Sequence, residues 1–203
     1  MDRTLNGRTR SFRELIEERR GLLDPERYEP VVERIVRALV AAFAAGRKVL
    51  WCGNGGSAAD AQHLAAEFSG RFLLDRRALP SEALTVNTSA LTAIANDFGY
   101  ERVFARQVEA FAVPGDVVIG ISTSGNSPSV VAALEEARAR GATAIAFSGN
   151  GGGKLAEAAD IALVGPDGYA ALVQEVHIAL GHIVCDLVEQ ALFTRAHAER
   201  GDR

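Results

Sequence analysis

Cysteine is scarce in this chain: Cys52 and Cys185 lie far apart, each among apolar neighbours, and no C-x-x-C pair occurs. That excludes a disulfide framework and a thiolate zinc knot, and it predicts two buried thiols in a reducing compartment. Positive charge is not in excess either. The 22 Lys and Arg against 26 Asp and Glu leave a net charge of −4, which argues against nucleic acid as a partner and leaves room only for a local anion pocket. No uninterrupted apolar run reaches the ~18 residues of a membrane span, and no charged-then-apolar leader opens the sequence. The expectation is a soluble, cytoplasmic protein with no membrane partner. What the chain does have is 203 residues, 48% of them apolar, enough for one large core.

Residues 1–10 are polar and basic, with Asn6-Gly7 as a turn signal. Helical spacing then predicts helices over about 11–20, where Ser11 to Glu14 resembles a capping box, and about 30–45, with Val31, Ile35, Leu39 and Phe43 four apart. Their apolar faces need a further layer or another subunit. From there strands and helices alternate. Strands are predicted at 48–52, 83–87, 117–121, 143–147 and 161–164, with helices over 57–69, 89–96, 102–112, about 128–137 and 169–193. This order gives an α/β fold with a five-stranded parallel sheet and helices on both faces. Three glycine- or serine-rich turns follow strands, at 53–56, 122–127 and 149–153, and so gather at the carboxyl edge where such sheets bind ligands.

The densest of these turns is Ser122-Thr123-Ser124-Gly125-Asn126-Ser127, with Ser127 suited to the N-cap and Pro128 to the first helical position. It reads either as an ordinary capped turn or as a phosphate cradle at a helix N-terminus, and four hydroxyls in six residues favour the cradle. Gly53-Asn54-Gly55-Gly56-Ser57 lacks the full G-x-G-x-x-G, and no acidic residue closes the second strand, so a nicotinamide cofactor is not supported. It reads instead as a loop bringing backbone close to a small ligand, with Ser57 capping the next helix and Asp60 completing a capping box. His63 and Glu67 share a face of that helix, beside the apolar Leu64 and Phe68. In the last helix, Gln174 and His182 lie in an almost wholly apolar stretch, with His177 between them. His182 is either a satisfied core histidine or part of a site, and two His, a Glu and a Gln can make a zinc site.

Gly53-Asn54-Gly55-Gly56-Ser57, Asn96-Asp97-Phe98-Gly99, Gly120 to Ser127 and Gln174-Glu175-Val176-His177-Ile178 together resemble the sugar-isomerase (SIS) domain family over roughly residues 10–195. The resemblance implies one flavodoxin-like SIS domain over 1–203: N-terminal helices at about 11–45, a sheet core at about 48–165 and a C-terminal helix at about 169–193. It implies a homotetramer with active sites at subunit interfaces. Ser122, Thr123, Ser124 and Ser127 would hold a sugar phosphate, and Asn54, Gly55, Gly56, Ser57, Asp97 and Gln174 would line the sugar. Glu67 and His182 would be the acid/base pair, and zinc would sit on His63, Glu67, Gln174 and His182. The fuller set of motifs resembles family members that isomerise sedoheptulose 7-phosphate to D-glycero-D-manno-heptose 7-phosphate for nucleotide-heptose synthesis. Ala171 departs from those members, which carry Asp there. A non-catalytic SIS protein of the type that associates with a replication initiator is the alternative.

Overall fold

The computed structural model describes residues 9–194, so the predicted Asn6-Gly7 turn lies outside the described residues. The chain forms α1 (Phe12–Arg19), α2 (Pro25–Ala44), β1 (Val49–Gly53), α3 (Gly56–Ser69), β2 (Ser81–Ala83), α4 (Thr88–Phe98), a short 3-10 turn (Tyr100–Arg102) and α5 (Ala105–Phe111). It continues with β3 (Val117–Ser122), α6 (Pro128–Ala139), β4 (Thr143–Ser148), α7 (Gly153–Glu157), β5 (Ile161–Val164) and α8 (Ala170–Glu189), which closes in a π turn at Gln190–Thr194. All strand pairs are parallel, in the order β2-β1-β3-β4-β5, the flavodoxin-like arrangement.

Strand alternation builds two cores. Val49, Trp51, Ile119, Ile121, Ile145 and Phe147 face α2, α3 and α8, while Leu50, Cys52, Val118, Ala144 and Ala146 face α5 and α6. Successive side chains leave a strand on opposite sides, and with both sides covered the strands read as continuous apolar runs. The turn before β3 is fastened by Asp116, which is fully buried. It accepts the backbone N–H of Lys48 at 3.1 Å and of Val113 at 2.9 Å, and it pairs with Lys48 Nζ at 2.6 Å.

Several boundaries differ from the sequence expectation. α2 begins at Pro25, not Pro30, because Asp24 caps it by accepting from Glu26 N and Pro25 takes the first helical position. Pro30 then sits inside the helix, at the loss of one backbone bond. β2 covers Ser81–Ala83 and not 83–87: the chain turns after Ala83, and Asn87 caps α4 through Ala90 N. Ser57 is not the cap of α3. Gly55 holds that position without a side-chain bond, Ser57 is buried inside the helix, and Asp60 keeps one carboxylate oxygen buried without a partner. The capping box at Ser11 and Glu14 is present as expected.

The two N-terminal helices fare differently. α2 buries Ile35, Leu39 and Phe43 within its own chain, each worth roughly 1.5–3 kcal/mol. α1 buries nothing and leaves Phe12 80% exposed; it is tied to the start of α8 by Arg19–Glu175 at 2.7 Å and by Tyr169 donating to Glu18 at 2.8 Å. By length and composition Ala170–Thr194 is apolar enough to cross a membrane, and half of its most apolar window is buried in the fold.

Candidate active site

The serine loop stands where β3 hands over to α6. Ser127 is the N-cap residue and Pro128 opens the helix, yet the Ser127 hydroxyl makes no capping bond. It accepts instead from Ser122 Oγ at 3.0 Å, and Ser122 Oγ lies 3.4 Å from Ser124 Oγ. Ser124 Oγ also accepts the N–H of Asn126 at 3.2 Å. Three hydroxyls thus face one another at the positive end of α6, where an oxyanion would replace their mutual bonds with stronger ones.

The loop is braced by its neighbour after β4. Leu155 N donates to Gly125 O at 2.8 Å, Lys154 N to Asn126 Oδ1 at 3.2 Å, and Asn150 Nδ2 to Thr123 O at 3.0 Å. Gly125 has φ +66°, and a Cβ there would run into the carbonyl of Gly152, so only glycine fits both the backbone angle and the space. On the other side, Asn54 Nδ2 donates to Ser129 Oγ at 3.0 Å, and Tyr100 OH donates to Asn54 Oδ1 at 2.8 Å. The glycine loop, the first turn of α6 and the 3-10 turn are therefore linked. Asp97 is exposed in the last turn of α4 with its carboxylate on Asn96 Nδ2; among the described residues none of its hydrogen bonds reaches either loop.

Further along α3 is the second half of the site. α3 and α8 run side by side, and at Gly181 a Cβ would lie 2.7 and 2.8 Å from the two methyls of Leu64. That close approach brings His63 Nε2 within 2.7 Å of His182 Nε2, and one turn along α3 Glu67 Oε1 lies 3.3 Å from the same nitrogen. Ligand atoms of His63, Glu67 and His182 all lie within 4.8 Å of one another. Glu67 and His182 are half-buried and His63 is exposed. Gln174 lies elsewhere on α8: its amide packs on Gly56, so that a Cβ on Gly56 would be 2.5 Å from Gln174 Nε2. At 1.5 Å per residue this is about 10 Å along α3 from His63.

His177 belongs to the core. It is fully buried, Nε2 bonds Ser148 O at 2.9 Å, and its ring meets Phe147 edge-on. Burial lowers its pKa, only partly offset by the Ser148 carbonyl, and so favours the neutral ring. Both cysteines are free and buried, and burial pushes the Cys52 thiol up to about 12. Ala171 is exposed in the first turn of α8. Sequence reasoning missed Tyr100, Phe72, Arg76 and Glu189. Glu189 is the one with a signal: a carboxylate seven residues after His182, on the same helical face of an otherwise apolar stretch.

Fold and site together define a sugar-phosphate-type SIS domain, and the chain belongs to the SIS domain family, whose signature matches residues 23–149. Among its relatives within that family are phosphoheptose isomerases. The one from Burkholderia pseudomallei strain 1710b is 52% identical over 173 residues, covering 85% of this chain and 88% of that protein. The structure of the Neisseria gonorrhoeae phosphoheptose isomerase matches with a TM-score of 0.75 at 41% identity, over 88% of this chain and 92% of that one. A phosphoheptose isomerase from Francisella tularensis matches at 0.77 and 34% identity, over 89% and 93%.

Proposed function

We propose that the chain is an aldose–ketose isomerase that converts sedoheptulose 7-phosphate to D-glycero-D-manno-heptose 7-phosphate. The observation that carries this reading is the convergence of His63, Glu67 and His182 on α3 and α8, in a chain that also presents three facing hydroxyls at a helix N-terminus. The phosphate is held by Ser122, Ser124 and Ser127 with Thr123, and the sugar by Asn54, Gly55, Gly56, Ser57, Asp97 and Gln174.

The chemistry needs one group on carbon and one on oxygen. Glu67 takes a proton from C1 of the ketose and returns it at C2, passing through an enediol. His182 moves the accompanying proton from the C1 hydroxyl to the C2 oxygen, so that the ketone becomes a hydroxyl and C1 an aldehyde. His63, 2.7 Å from His182, orients that imidazole. Two imidazole nitrogens and a carboxylate oxygen this close also fit a zinc ion, with His63, Glu67 and His182 as ligands; Gln174, whose amide packs on Gly56, is not among them. Zinc bound there would supply Lewis acidity to the enediolate oxygens.

The chain is further read as a cytoplasmic homotetramer with its sites at subunit interfaces. Support comes from the exposed Phe12 and Ile16 on α1 and from Leu23, Ile183 and Leu187 around an apolar groove of about 380 Å³ between α2 and α8. The test is direct. Purified protein in deuterated buffer is given sedoheptulose 7-phosphate, with and without zinc, and the product is read by NMR. An aldose phosphate carrying deuterium at C2 is expected, and unchanged ketose under both conditions overturns the proposal.

A further inference from the structure

Behind the His63–Glu67–His182 group lies an ion pair that touches none of the reacting atoms. Arg76 Nε meets Glu189 Oε1 at 2.8 Å, and both side chains are only 1% exposed. The Glu189 carboxylate also accepts the backbone N–H of Phe72 at 3.2 Å and of Leu73 and Leu74 at 2.7 Å each. The guanidinium spends its other donors on carbonyls. Nη1 reaches Phe68, Gly70 and Arg77 at 2.9, 3.1 and 3.0 Å, and Nη2 reaches the carbonyl of Glu67 at 2.8 Å.

The last turn of α3 would otherwise leave such carbonyls without intrahelical partners, and a cation suits the negative end of the helix. Stability alone does not account for the pair, because apolar residues of similar volume are commonly at least as stabilising in a buried position. Its bonds run instead to the backbone of residues 67–77, the segment that carries Phe72. The Phe72 ring lies against the His182 imidazole, with centroids 5.7 Å apart and planes inclined by 25°.

We propose that Arg76 and Glu189 are positioning residues, holding Phe72 as a platform that fixes the plane of His182 while the same guanidinium fixes the backbone of Glu67. Both partners of the proton transfer are then referenced to one ion pair. The activity readout of this inference rests on the isomerase reading above; its spectroscopic readout does not.

The experiment uses protein labelled at histidine and the variants Phe72→Leu, Phe72→Tyr and Glu189→Gln. A ring stacked on His182 shifts the carbon-bound imidazole protons upfield. Phe72→Leu and Glu189→Gln are expected to lose that shift and to lower kcat about tenfold with KM within about twofold of wild type, whereas Phe72→Tyr keeps both at wild-type values. Phe72 is half-buried, so Phe72→Leu keeps the test open if Glu189→Gln does not fold. A folded Phe72→Leu protein with wild-type His182 resonances, or with wild-type kcat, overturns the proposal. Should the wild-type protein leave sedoheptulose 7-phosphate unchanged, the function reading fails while the resonances still decide this one.

Discussion

Replacing Gly181 by Ala tests whether the spacing of α3 and α8 sets the geometry of the site. The new Cβ would sit 2.7 Å from Cδ1, 2.8 Å from Cδ2 and 3.3 Å from Cγ of Leu64. Leu64 is fully buried, so its methyls have no free space to rotate into. Restoring ordinary carbon contacts of ~3.5–4.0 Å requires a shift of about 1 Å by the side chain or the helix. Overpacking of this kind costs roughly 1–3 kcal/mol, while exchanging glycine for alanine inside a helix returns about 1 kcal/mol. The expected net is a loss of about 1 kcal/mol, seen as a fall in Tm of about 2–4 °C for a domain of this size. Activity suffers more than stability. His182 follows Gly181 directly, and a displacement of ~1 Å at reacting groups is enough to lower kcat by up to about a hundredfold. Thermal denaturation and steady-state kinetics on the same preparation separate the two effects. Adding Leu64→Ala to Gly181→Ala should then cost less than the sum of the single changes by ~1 kcal/mol, since the shortened side chain makes room. A Gly181→Ala protein that melts higher than wild type and keeps its kcat would refute the argument that this contact is tight.

Glu67→Gln retains shape and removes the proposed base, so kcat is expected to fall about 10²- to 10⁴-fold with KM little changed; a kcat within about tenfold of wild type would assign proton abstraction to another group. For stability against pH, burial opposes the charge of Glu189, but the N–H groups of Leu74, Leu73 and Phe72 and the Arg76 guanidinium outweigh it and hold the carboxyl below its ordinary value of 4.5. Asp116 is likewise depressed from 3.8: burial again opposes, and the Lys48 ammonium with the N–H groups of Val113 and Lys48 prevails. A depressed folded-state pKa stabilises fully above the unfolded value and loses that contribution as pH falls through the folded one. Tm should therefore hold above about pH 5 and drop below about pH 4, with a shallower drop in Glu189→Gln. Parallel acid limbs in the two proteins would count against Glu189 as the titrating group.

Much of the architecture was legible because burial on both faces of a parallel sheet writes itself as runs such as Val117 to Ile121, and three of the five runs ended where a glycine- or serine-rich turn began. The parallel pairing followed from the strand-helix alternation, and the flavodoxin-like order from the resemblance to SIS domains. Boundaries were less legible where two signals competed. Pro30 looked like a helix start, but Asp24-Pro25 offered the better cap and the apolar spacing carried the helix through. Val86 has the branching of a strand residue, yet Asn87 used its side chain to open α4. Within the site, His63 and Glu67 were readable because helical spacing puts them on one face. The partnership of His63 with His182 was not readable from spacing, since 119 residues separate them; it came from the resemblance to SIS domains, and the missing side chain at Gly181 allows the approach. The place of Arg76 was invisible for a related reason: nothing in a run of mixed polar residues distinguishes a solvated arginine from one whose Nε, Nη1 and Nη2 all donate inside the fold.

The serine loop is set before any ligand arrives, because bonds from Leu155, Lys154 and Asn150 and the backbone of Gly152 hold it from one side. In the phosphate-holding role proposed for it, such a socket is indifferent to what hangs from the phosphate. Descent can therefore treat it as a constant and the surrounding helices as variables: changes on α3, α4 or the start of α8 can redirect the chain towards another phosphorylated sugar while the anchor is inherited intact. In that proposed role, a side chain at Gly125, pressed into the Gly152 carbonyl, would instead forfeit every phosphorylated substrate at once.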